Sequence, residues 1–296
     1  MRNTLLFGGT GSLGTQIARE LYLAGYRLTA VVRNEKKAAQ VKGLVHKTLI
    51  ADITDPGAIS GLCRGFEIVV SSLGKPVSPN DRSKPSFQAI DLDANTAILN
   101  DAVEQGVRKF IYISAFGAER YRHLEYFRVH HEFEQRLRAS GIDYSILRPP
   151  ALFSAFRDLV EMARKGRLMN MGKGERLTNP IDEADLARIC LEAIDQPYSI
   201  TEAGGQEILS RKQINQLIQD VAAPGKKIRT IPLWLVKGAL PLLKLADRNA
   251  YDKMAFFTEV MEHDTVAPRL GTSRLKTYLE RMVNNGQAPK TGGLKR

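Results

Sequence analysis

Short apolar segments alternate with amphipathic segments through the first half of the chain. Six apolar runs, rich in valine, isoleucine, leucine and aromatic residues, predict β-strands: TLLFGG, RLTAVVR, HKTLIAD, FEIVVSSLG, KFIYISAFG and DYSILRPP. Helical periodicity separates several of these runs, at residues 12–25, 88–106 and 123–141. Because parallel strands joined through such helices form right-handed crossovers, the pattern predicts an α/β fold with a doubly wound parallel sheet.

The alternation becomes less regular after Leu152, where proline is more frequent. Helical periodicity returns in residues 155–164, 182–194, 211–221 and 249–261. We therefore expect a sheet domain over residues 1–150 and a smaller, partly helical lobe over residues 151–283 that is partly interleaved with the sheet. The glycine-rich, basic segment 284–296 predicts a disordered tail.

The composition is typical of a soluble globular protein, since 43% of the residues are hydrophobic and 25% are charged. The first residues show no secretory signal. The most apolar segment, IPLWLVKGALPLLKL at 231–245, is too short and too often interrupted to span a bilayer. Cys63 and Cys190 lie in apolar or helical contexts, which favours buried, reduced thiols. We expect a cytoplasmic protein without an integral membrane segment.

A formal net charge of +11 is compatible with nucleic acid, a membrane surface or an anionic small molecule as a partner. The lysine and arginine residues are spread along the chain and are not interleaved with aromatic residues, so we expect no nucleic-acid partner. A small-molecule substrate is the expected partner, and peripheral contact with a membrane remains open. The sequence determines neither the oligomeric state nor a role for the excess basic charge.

A glycine-rich loop, FGGTGSLGTQIARELYLAGY at 7–26, joins the first predicted strand to the first predicted helix. Gly8 allows a tight turn, Gly11 lets the backbone approach a pyrophosphate, and Gly14 permits close packing of the helix on the strand. The helix N-terminus then presents free N–H groups to phosphates. This motif at a strand–helix junction predicts a dinucleotide-binding site.

The end of the second predicted strand indicates which dinucleotide is bound. An acidic residue at this place binds the ribose hydroxyls of NAD(H). Here the strand ends at Arg33, and Lys36 and Lys37 follow. A guanidinium suits a 2′-phosphate and offers no acceptor to a free diol, so we predict NADP(H) in preference to NAD(H). The alternative is that these are solvated charges at the start of a helix.

Five motifs together resemble the atypical short-chain dehydrogenase/reductases. They are GGTGSLG, ADITDP after the third strand, SSLG after the fourth, FIYISAFGA at the fifth and DYSILRPP at the sixth. The chain is most similar to the NmrA-like and divinyl-reductase-like branch. The resemblance extends to NPIDEADLARICLEAI at 179–194 and TVAPRLGTSRLKTYLERMV at 265–283. It implies a Rossmann sheet that binds NAD(P)(H) and a C-terminal lobe that binds substrate.

The resemblance also implies which residues contact the cofactor. Asp52 and Ile53 would flank the adenine. Ser72, Leu73 and Gly74 would line the path to the nicotinamide ribose. All lie at the carboxyl ends of predicted strands, where doubly wound sheets bind ligands. For Asp52 the alternative is a turn-capping role. The whole predicted cofactor site comprises Gly8, Thr10, Gly11, Ser12, Leu13, Gly14, Arg33, Asp52, Ile53, Ser72, Leu73 and Gly74.

In the reductases of this family, a serine, a tyrosine and a lysine four residues after the tyrosine act together. By the resemblance, Ser114 orients the substrate, Tyr126 exchanges a proton with the substrate oxygen, and His130 stands where the lysine is expected. A spacing of four places Tyr126 and His130 on one helix face, and His131 is turned by about 100° from it. The adjacent histidines are therefore not a chelating pair. No other residues have zinc-like spacing, so we predict no metal site.

Histidine in the lysine position leaves the chemistry open. A phenol of pKa ~10 is a poor base at neutral pH, and an imidazole of pKa ~6.5 assists it less than an ammonium would. Four alternatives remain. Tyr126 could work in a reductase with a weaker helper, or the proton could come from another group. The protein could be a sensor without turnover, or this polar helix face could have no functional role. If protonated His130 assists Tyr126, turnover should decline as the pH rises through the imidazole pKa.

Two functions follow from these alternatives. The first is an NADP(H)-dependent oxidoreductase that acts on a carbonyl or activated double bond in a small or hydrophobic organic substrate. Ser114 and Tyr126 favour this enzyme. The second is an NADP(H)-binding sensor, regulator or assembly factor of the NmrA type without turnover, which His130 favours.

Two segments of the lobe are candidates for contact with the substrate. By the resemblance, Phe153 and Phe156 would line the substrate pocket, and core packing is the alternative. Segment 231–245 contains the only tryptophan, Trp234. This segment could cover the active site, contact a hydrophobic substrate or rest on a membrane surface. A helix packed into the lobe is the favoured interpretation.

Overall fold

A computed structural model of the chain describes residues 1–78, 80–81 and 83–287, and a seven-stranded parallel sheet forms the centre of this part. The strands of the described residues are β1 (Asn3–Phe7), β2 (Arg27–Val32), β3 (Lys47–Ile50), β4 (Ile68–Ser71), β5 (Lys109–Ile113), β6 (Asp143–Arg148), β7 (Met169–Met171), β8 (Leu177–Thr178), β9 (Ser199–Glu202), β10 (Leu209–Ser210) and β11 (Arg229–Ile231). The main sheet has the order β3-β2-β1-β4-β5-β6-β9, and all its neighbouring strands are parallel. The predicted doubly wound sheet is confirmed.

Helices cover both faces of this sheet and form most of the remaining structure. The helices of the described residues are α1 (Ser12–Leu23), α2 (Glu35–Ala38), α3 (Pro56–Ile59), α4 (Asn95–Glu104), α5 (Glu125–Ala139), α6 (Arg157–Arg164), α7 (Glu183–Glu192), α8 (Arg211–Ala222), α9 (Leu233–Ala246), α10 (Arg248–Val260) and α11 (Leu275–Gln287). A π-helical stretch, Gln88–Ala94, leads directly into α4. Because α11 runs to Gln287, the first residues of the predicted tail are helical, and residues 288–296 lie outside the described part.

The order of the strands reverses between β1 and β4, which creates a crevice at their carboxyl ends. From β1 the chain proceeds outward through β2 and β3, then returns to β4 on the other side of β1 and proceeds through β5 and β6. In open parallel sheets the loops separate at such a point and leave space for a ligand. The glycine-rich loop after β1 and the loop after β4 therefore border the same crevice.

Alternating side chains of the central strands enter two separate cores. Leu5 and Phe7 pack on the face that is covered by α4 and α5, whereas Leu6 packs on the face that is covered by α1 and α7. Both faces of a parallel sheet are buried, which is why the strand segments read as nearly continuous apolar runs. Cys63 and Cys190 are buried free thiols in these two cores, as the sequence predicted.

The second half of the chain contributes to both the sheet and a lobe. Helices α6, α8 and α11 pack around a third apolar core that includes Phe153, Ile214 and Leu279. Between α6 and α8 the chain returns to the main sheet, where α7 packs on α1 and β9 pairs with β6. The strand pairs β8–β10 and β7–β11 belong to the lobe.

Most of the segment 231–245 forms helix α9, but this helix lies on the surface of the lobe and is not packed into it as expected. No side chain of α9 is buried, and α9 packs along α10 by one face only. The sequence did not reveal this because α9 is apolar around most of its circumference, and such a helix is normally buried.

Candidate functional site

The glycine-rich loop forms a tight cradle at the carboxyl end of β1. Gly8 has a φ of 79°, and a Cβ at this position would lie 2.6 Å from the carbonyl oxygen of Ser72. The Gly11 N–H donates to the Gly8 carbonyl at 3.0 Å. A Cβ on Gly14 would lie 2.1 Å from that same carbonyl oxygen, so only glycine fits there. These positions carry the spacing that the sequence analysis identified, and the backbone can approach a pyrophosphate here.

The N-terminus of α1 opens onto this cradle. Gly11 provides no side chain to cap the helix, and the first turn contains no acidic residue. The Thr15 hydroxyl donates to the Gly11 carbonyl at 2.8 Å, which fixes the loop against the helix. Leu13 is buried in the core, whereas Thr10 is half-buried and Ser12 is exposed at the rim. The free N–H groups and the helix dipole make this end a suitable phosphate site.

The structure brings one residue to this rim that the sequence analysis missed. Arg157, at the start of α6, places Nη2 3.5 Å from the Ser12 hydroxyl oxygen. Its side chain is exposed, so the guanidinium is accessible beside the phosphate cradle. The residue lies 145 positions from Ser12, and no local motif marks it.

The carboxyl ends of β2 and β3 lie side by side. Arg33 is exposed directly after β2, and Asp52 is exposed after β3. The pKa of the Asp52 carboxyl is lowered by hydrogen bonds from the Thr54 N–H and hydroxyl, and further by the charge of Arg33. Asp52 therefore caps the turn that follows β3, which was the alternative to a role in binding adenine. Lys36 and Lys37 lie exposed on α2, beyond Arg33.

The residues after β4 connect the crevice to the π-helical stretch. The Ser72 hydroxyl donates to the Phe7 carbonyl at 3.1 Å, and Leu73 packs against the sheet core, as does Ile53 after β3. A Cβ on Gly74 would lie 3.3 Å from an oxygen of Asp91. The predicted path along the cofactor therefore leads to Asp91, which is buried in the π-helical stretch.

Tyr126 lies in the first turn of α5, in a cluster of aromatic rings. Its ring contacts Phe87, Phe127 and Phe256 edge-on, at centroid distances of 5.5, 5.1 and 4.7 Å. Phe256 belongs to α10, so the lobe covers this tyrosine. Among the described residues, no hydrogen-bond partner of the Tyr126 hydroxyl is present. Desolvation raises the pKa of this phenol above its usual value, and the charge of Asp91 raises it further.

His130 lies one turn further along α5, and its ring centroid is 4.7 Å from that of Tyr126. The imidazole is buried and has polar partners on both sides: Nδ1 is 2.6 Å from the Tyr112 hydroxyl, and Nε2 is 3.5 Å from Oδ1 of Asp91. Oxygens of Asp91 also accept from the Lys75 N–H at 3.2 and 3.3 Å. Residues from β5, α5 and the loop after β4 thus meet around one buried ring.

Burial suppresses charge within this group. Desolvation lowers the pKa of His130 to about 3 and raises the pKa of Asp91 to about 8. Burial therefore favours the neutral forms of both side chains. Burial thus disfavours a protonated imidazole as the helper of Tyr126, because charging His130 would place an imidazolium cation inside the core.

Ser114 occupies the predicted place after β5, but its hydroxyl is engaged. It donates to Oε1 of Glu134 at 2.5 Å, and both side chains are buried. Arg148 binds the same carboxylate through two nitrogens, with Nε 2.9 Å from Oε1. Arg148 also contacts Glu119 at 2.9 Å. The structure thus places Ser114 against a buried ion pair, which the sequence analysis did not anticipate.

A second buried ionic group lies on the other side of Asp91. The Lys75 ammonium contacts Asp81 Oδ2 at 2.9 Å and the Ser83 hydroxyl at 2.8 Å. Lys253, on α10, binds the same Asp81 oxygen at 2.8 Å. These cations lower the pKa of Asp81, although burial opposes the effect. The group connects the loop after β4 to α10 and so fixes the cover over Tyr126.

The two phenylalanines that were candidates for the substrate pocket are buried in the lobe core. Phe153 packs edge-on against Tyr278 of α11, with the ring centroids 5.3 Å apart, and Phe156 belongs to the same cluster. This placement favours the core-packing alternative. Within residues 1–78, 80–81 and 83–287, no three histidine, cysteine or acidic side chains converge as a metal site would require.

A family profile described as NAD(P)H-binding matches residues 8–197 of this chain. Among curated proteins, the photosystem II assembly factor Ycf39 of Cyanophora paradoxa is 29% identical over 303 residues, which cover 94% of this chain and 92% of that protein. The chloroplastic divinyl chlorophyllide a 8-vinyl-reductase of Arabidopsis thaliana is 28% identical over 247 residues. That match covers 76% of this chain and 54% of the reductase.

Solved structures share the same architecture. The triphenylmethane reductase of a Citrobacter species, in complex with NADP(H), superposes with a TM-score of 0.72 over 95% of this chain and 99% of that one. The two sequences are 17% identical, so this likeness establishes the fold alone.

Proposed function

The chain belongs to the NAD(P)H-binding family, and we propose that it is an NADP(H)-dependent oxidoreductase that reduces a carbonyl or an activated double bond. The cradle of Gly8, Gly11 and Gly14 beneath the open N-terminus of α1 is the observation that carries this proposal. The pyrophosphate would bind to the N–H groups at this end, and Arg157 would add a positive charge at the rim.

The preference for NADP(H) rests on the charges beside the adenosine site. The exposed guanidinium of Arg33, with Lys36 and Lys37 beyond it, would bind a 2′-phosphate. One oxygen of the Asp52 carboxylate, Oδ1, already accepts two hydrogen bonds from the Thr54 turn, which leaves this carboxylate less available to a ribose diol. Titration with both dinucleotides tests this preference, and tighter binding of NADH would overturn it.

Tyr126 is the proton donor in this proposal. When bound, the nicotinamide supplies a hydride to the substrate carbon. The phenol would donate its proton to the electronegative atom that gains the electron pair, and solvent would then reprotonate the phenolate. The phenol is protonated at pH 7, and its raised pKa disfavours the phenolate that proton abstraction would need, so Tyr126 suits proton donation better than proton abstraction. The site is thus better suited to reduction than to oxidation.

His130 and Ser114 have supporting roles in this proposal. Neutral His130 hydrogen-bonds Tyr112 and fixes the face of α5 that carries Tyr126. Ser114 binds Glu134 and holds the end of β5 against the same helix. The apolar rings around Tyr126 favour a hydrophobic substrate. The cytoplasmic location remains part of this proposal. No helix in the described part of the chain combines the length and the apolarity needed to cross a bilayer.

A second candidate is an NADP(H)-binding assembly factor without turnover. The engaged Ser114 and the absence of a cation beside Tyr126 among the described residues favour it. The similarity to a relative named as a photosystem II assembly factor, which extends over almost the whole chain, also favours it. Such a protein would bind NADPH and act on a protein partner.

The experiment that separates the two candidates is an NADPH oxidation assay on the purified chain with a panel of quinones, enones and aromatic carbonyls. Oxidation that depends on both protein and acceptor, and that falls at least about tenfold in Tyr126→Phe, supports the reductase. NADPH binding without oxidation by any member of the panel supports the assembly factor. Failure to bind either dinucleotide contradicts both.

A further inference from the structure

Helix α9 presents an apolar face to solvent. Trp234 is 70% exposed, Leu242 is 73% exposed and Leu245 is 88% exposed, and Leu235 is 48% exposed on the same side. Gly238 and Pro241 complete this face, which contains no charged side chain. A folded protein rarely leaves so many large apolar side chains together in water, so this face indicates a contact that the isolated chain does not make.

The opposite side of α9 holds the helix on the protein. Leu233, Val236, Leu240 and Leu243 are half-buried, recur at helical spacing, and face α10. The outward face is therefore an unpartnered face of an anchored helix. It is also distinct from the dinucleotide site, to which it contributes no residue.

Basic residues outnumber acidic residues in the helix that carries this face and in the segment before it. Residues 226–248 contain six lysine or arginine residues and a single carboxylate, Asp247. Lys237 and Lys244 emerge at the edge between the apolar face and α10. Lys237 also contacts Glu262, and the Lys244 ammonium lies 5.4 Å from the Tyr251 ring, so both side chains are held near the rim.

We propose that α9 docks in the plane of an anionic lipid bilayer. Its tryptophan and leucines would enter the boundary between headgroups and acyl chains, and its lysines would lie at the level of the lipid phosphates. A second copy of the chain is a poorer occupant, because its equally basic rim would face this one. The proposal gives a role to part of the excess positive charge and does not depend on the proposed reaction.

The only tryptophan of the chain reports directly on this contact. Its fluorescence is measured while the full chain is titrated with phosphatidylglycerol vesicles or with phosphatidylcholine vesicles. We expect a saturable blue shift with the anionic vesicles, flotation of the protein with them, and weaker binding as salt is added. The zwitterionic vesicles should bind at least about tenfold more weakly.

Matched variants separate this contact from a general effect on the protein. Leu242→Asp places a charge on the docking face and should weaken binding at least about tenfold. Leu23→Asp makes the same change at the end of α1, where the leucine is also 73% exposed, and should leave binding unchanged. Lys237→Gln with Lys244→Gln should weaken binding about tenfold without changing the folded structure. Circular dichroism and NADPH titration verify that each variant is folded.

Three results with the native chain would overturn the proposal. The first is the absence of a blue shift with anionic vesicles. The second is equal binding to both lipids without a salt effect. The third is a blue shift that follows protein concentration in the absence of lipid, which would assign the face to a second copy. Unchanged binding of a folded Leu242→Asp variant would likewise exclude this face.

Discussion

Asp91→Asn tests whether the buried group beside Tyr126 is neutral. The substitution removes the ionisable carboxyl and keeps an oxygen that can accept the Lys75 N–H. Burial raises the pKa of Asp91 from its usual value to about 8, whereas in the unfolded chain it titrates at about 4. Between these two values the folded protein retains a proton that the unfolded chain releases. This contribution to stability is fully present below the unfolded pKa and is lost as the pH rises through the folded pKa.

The expected magnitude follows from this difference in proton binding. In this window each pH unit lowers the free energy of unfolding by about 1.4 kcal/mol because of this one carboxyl. The stability of the native chain relative to the Asp91→Asn variant should therefore fall by about 2 kcal/mol between about pH 6 and pH 7.5. For a chain of this size that corresponds to about 4 °C in Tm.

Urea unfolding, followed by far-ultraviolet circular dichroism at several pH values, measures this difference. Tryptophan fluorescence is a poor probe here, since Trp234 is exposed in the folded state. Asp93→Asn is the matched control, because Asp93 lies exposed on the same π-helical stretch. If Asp91 is instead ionised beside a neutral His130, the folded protein retains no extra proton and the difference would not change with pH, which would refute the neutral site. A charged Asp91–His130 pair holds the same single proton as the neutral pair and gives the same slope, so the infrared band of a protonated carboxyl is measured as well. Absence of that band from the native chain at pH 7 would place the proton on His130 and restore a cation beside Tyr126.

Three other substitutions test the remaining parts of the account. Gly14→Ala should weaken NADPH binding at least about tenfold in calorimetric titration. The new Cβ would lie 2.1 Å from the Gly8 carbonyl oxygen and displace the start of α1. Unchanged affinity would show that the cradle is not the binding site. Arg33→Gln should weaken NADPH binding about tenfold, since an exposed charge-assisted hydrogen bond to the 2′-phosphate is lost. NADH binding should stay within about twofold of the native value. An equal loss for both dinucleotides would contradict a 2′-phosphate contact. Glu134→Gln should lower the free energy of unfolding by about 3 kcal/mol, because it leaves Arg148 buried beside a neutral amide. Adding Arg148→Met should recover part of that loss, and a silent Glu134→Gln would show that the ion pair is not stabilising.

The sequence was sufficient for the fold and for the position of the phosphate loop, because both depend on local patterns. Apolar runs separated by helical periodicity determine a parallel sheet. The spacing of Gly8, Gly11 and Gly14 reflects contacts within a few residues of β1. Such features are visible without knowledge of distant partners.

The chemistry of α5 could not be obtained in the same way. His130 is neutral because Tyr112 and Asp91, from two other elements, bury it. One signal was available: Tyr126, His130 and Glu134 are spaced by four, so the third polar residue on this helix face was visible. Arg148, which binds Glu134, lies at the end of β6, and only the fold reveals that contact.

The exposed face of α9 shows a further limit. An apolar segment normally indicates burial, and the sequence does not reveal how much of the circumference the rest of the chain covers. The structure shows that α10 covers one side only, which turns an expected packing helix into a candidate docking surface.

The most direct test of the central claim is the transfer of deuterium from NADPH that is labelled at C4 of the nicotinamide. The purified chain is incubated with each of the two C4-labelled epimers and an enone or aromatic carbonyl from the panel, so that the deuterium enters a C–D bond that does not exchange with water, and the product is analysed by mass spectrometry. The account predicts that one epimer delivers its deuterium to the product and that the transfer disappears in Gly14→Ala. Tight NADPH binding without deuterium in any product would contradict the reductase and leave the assembly factor.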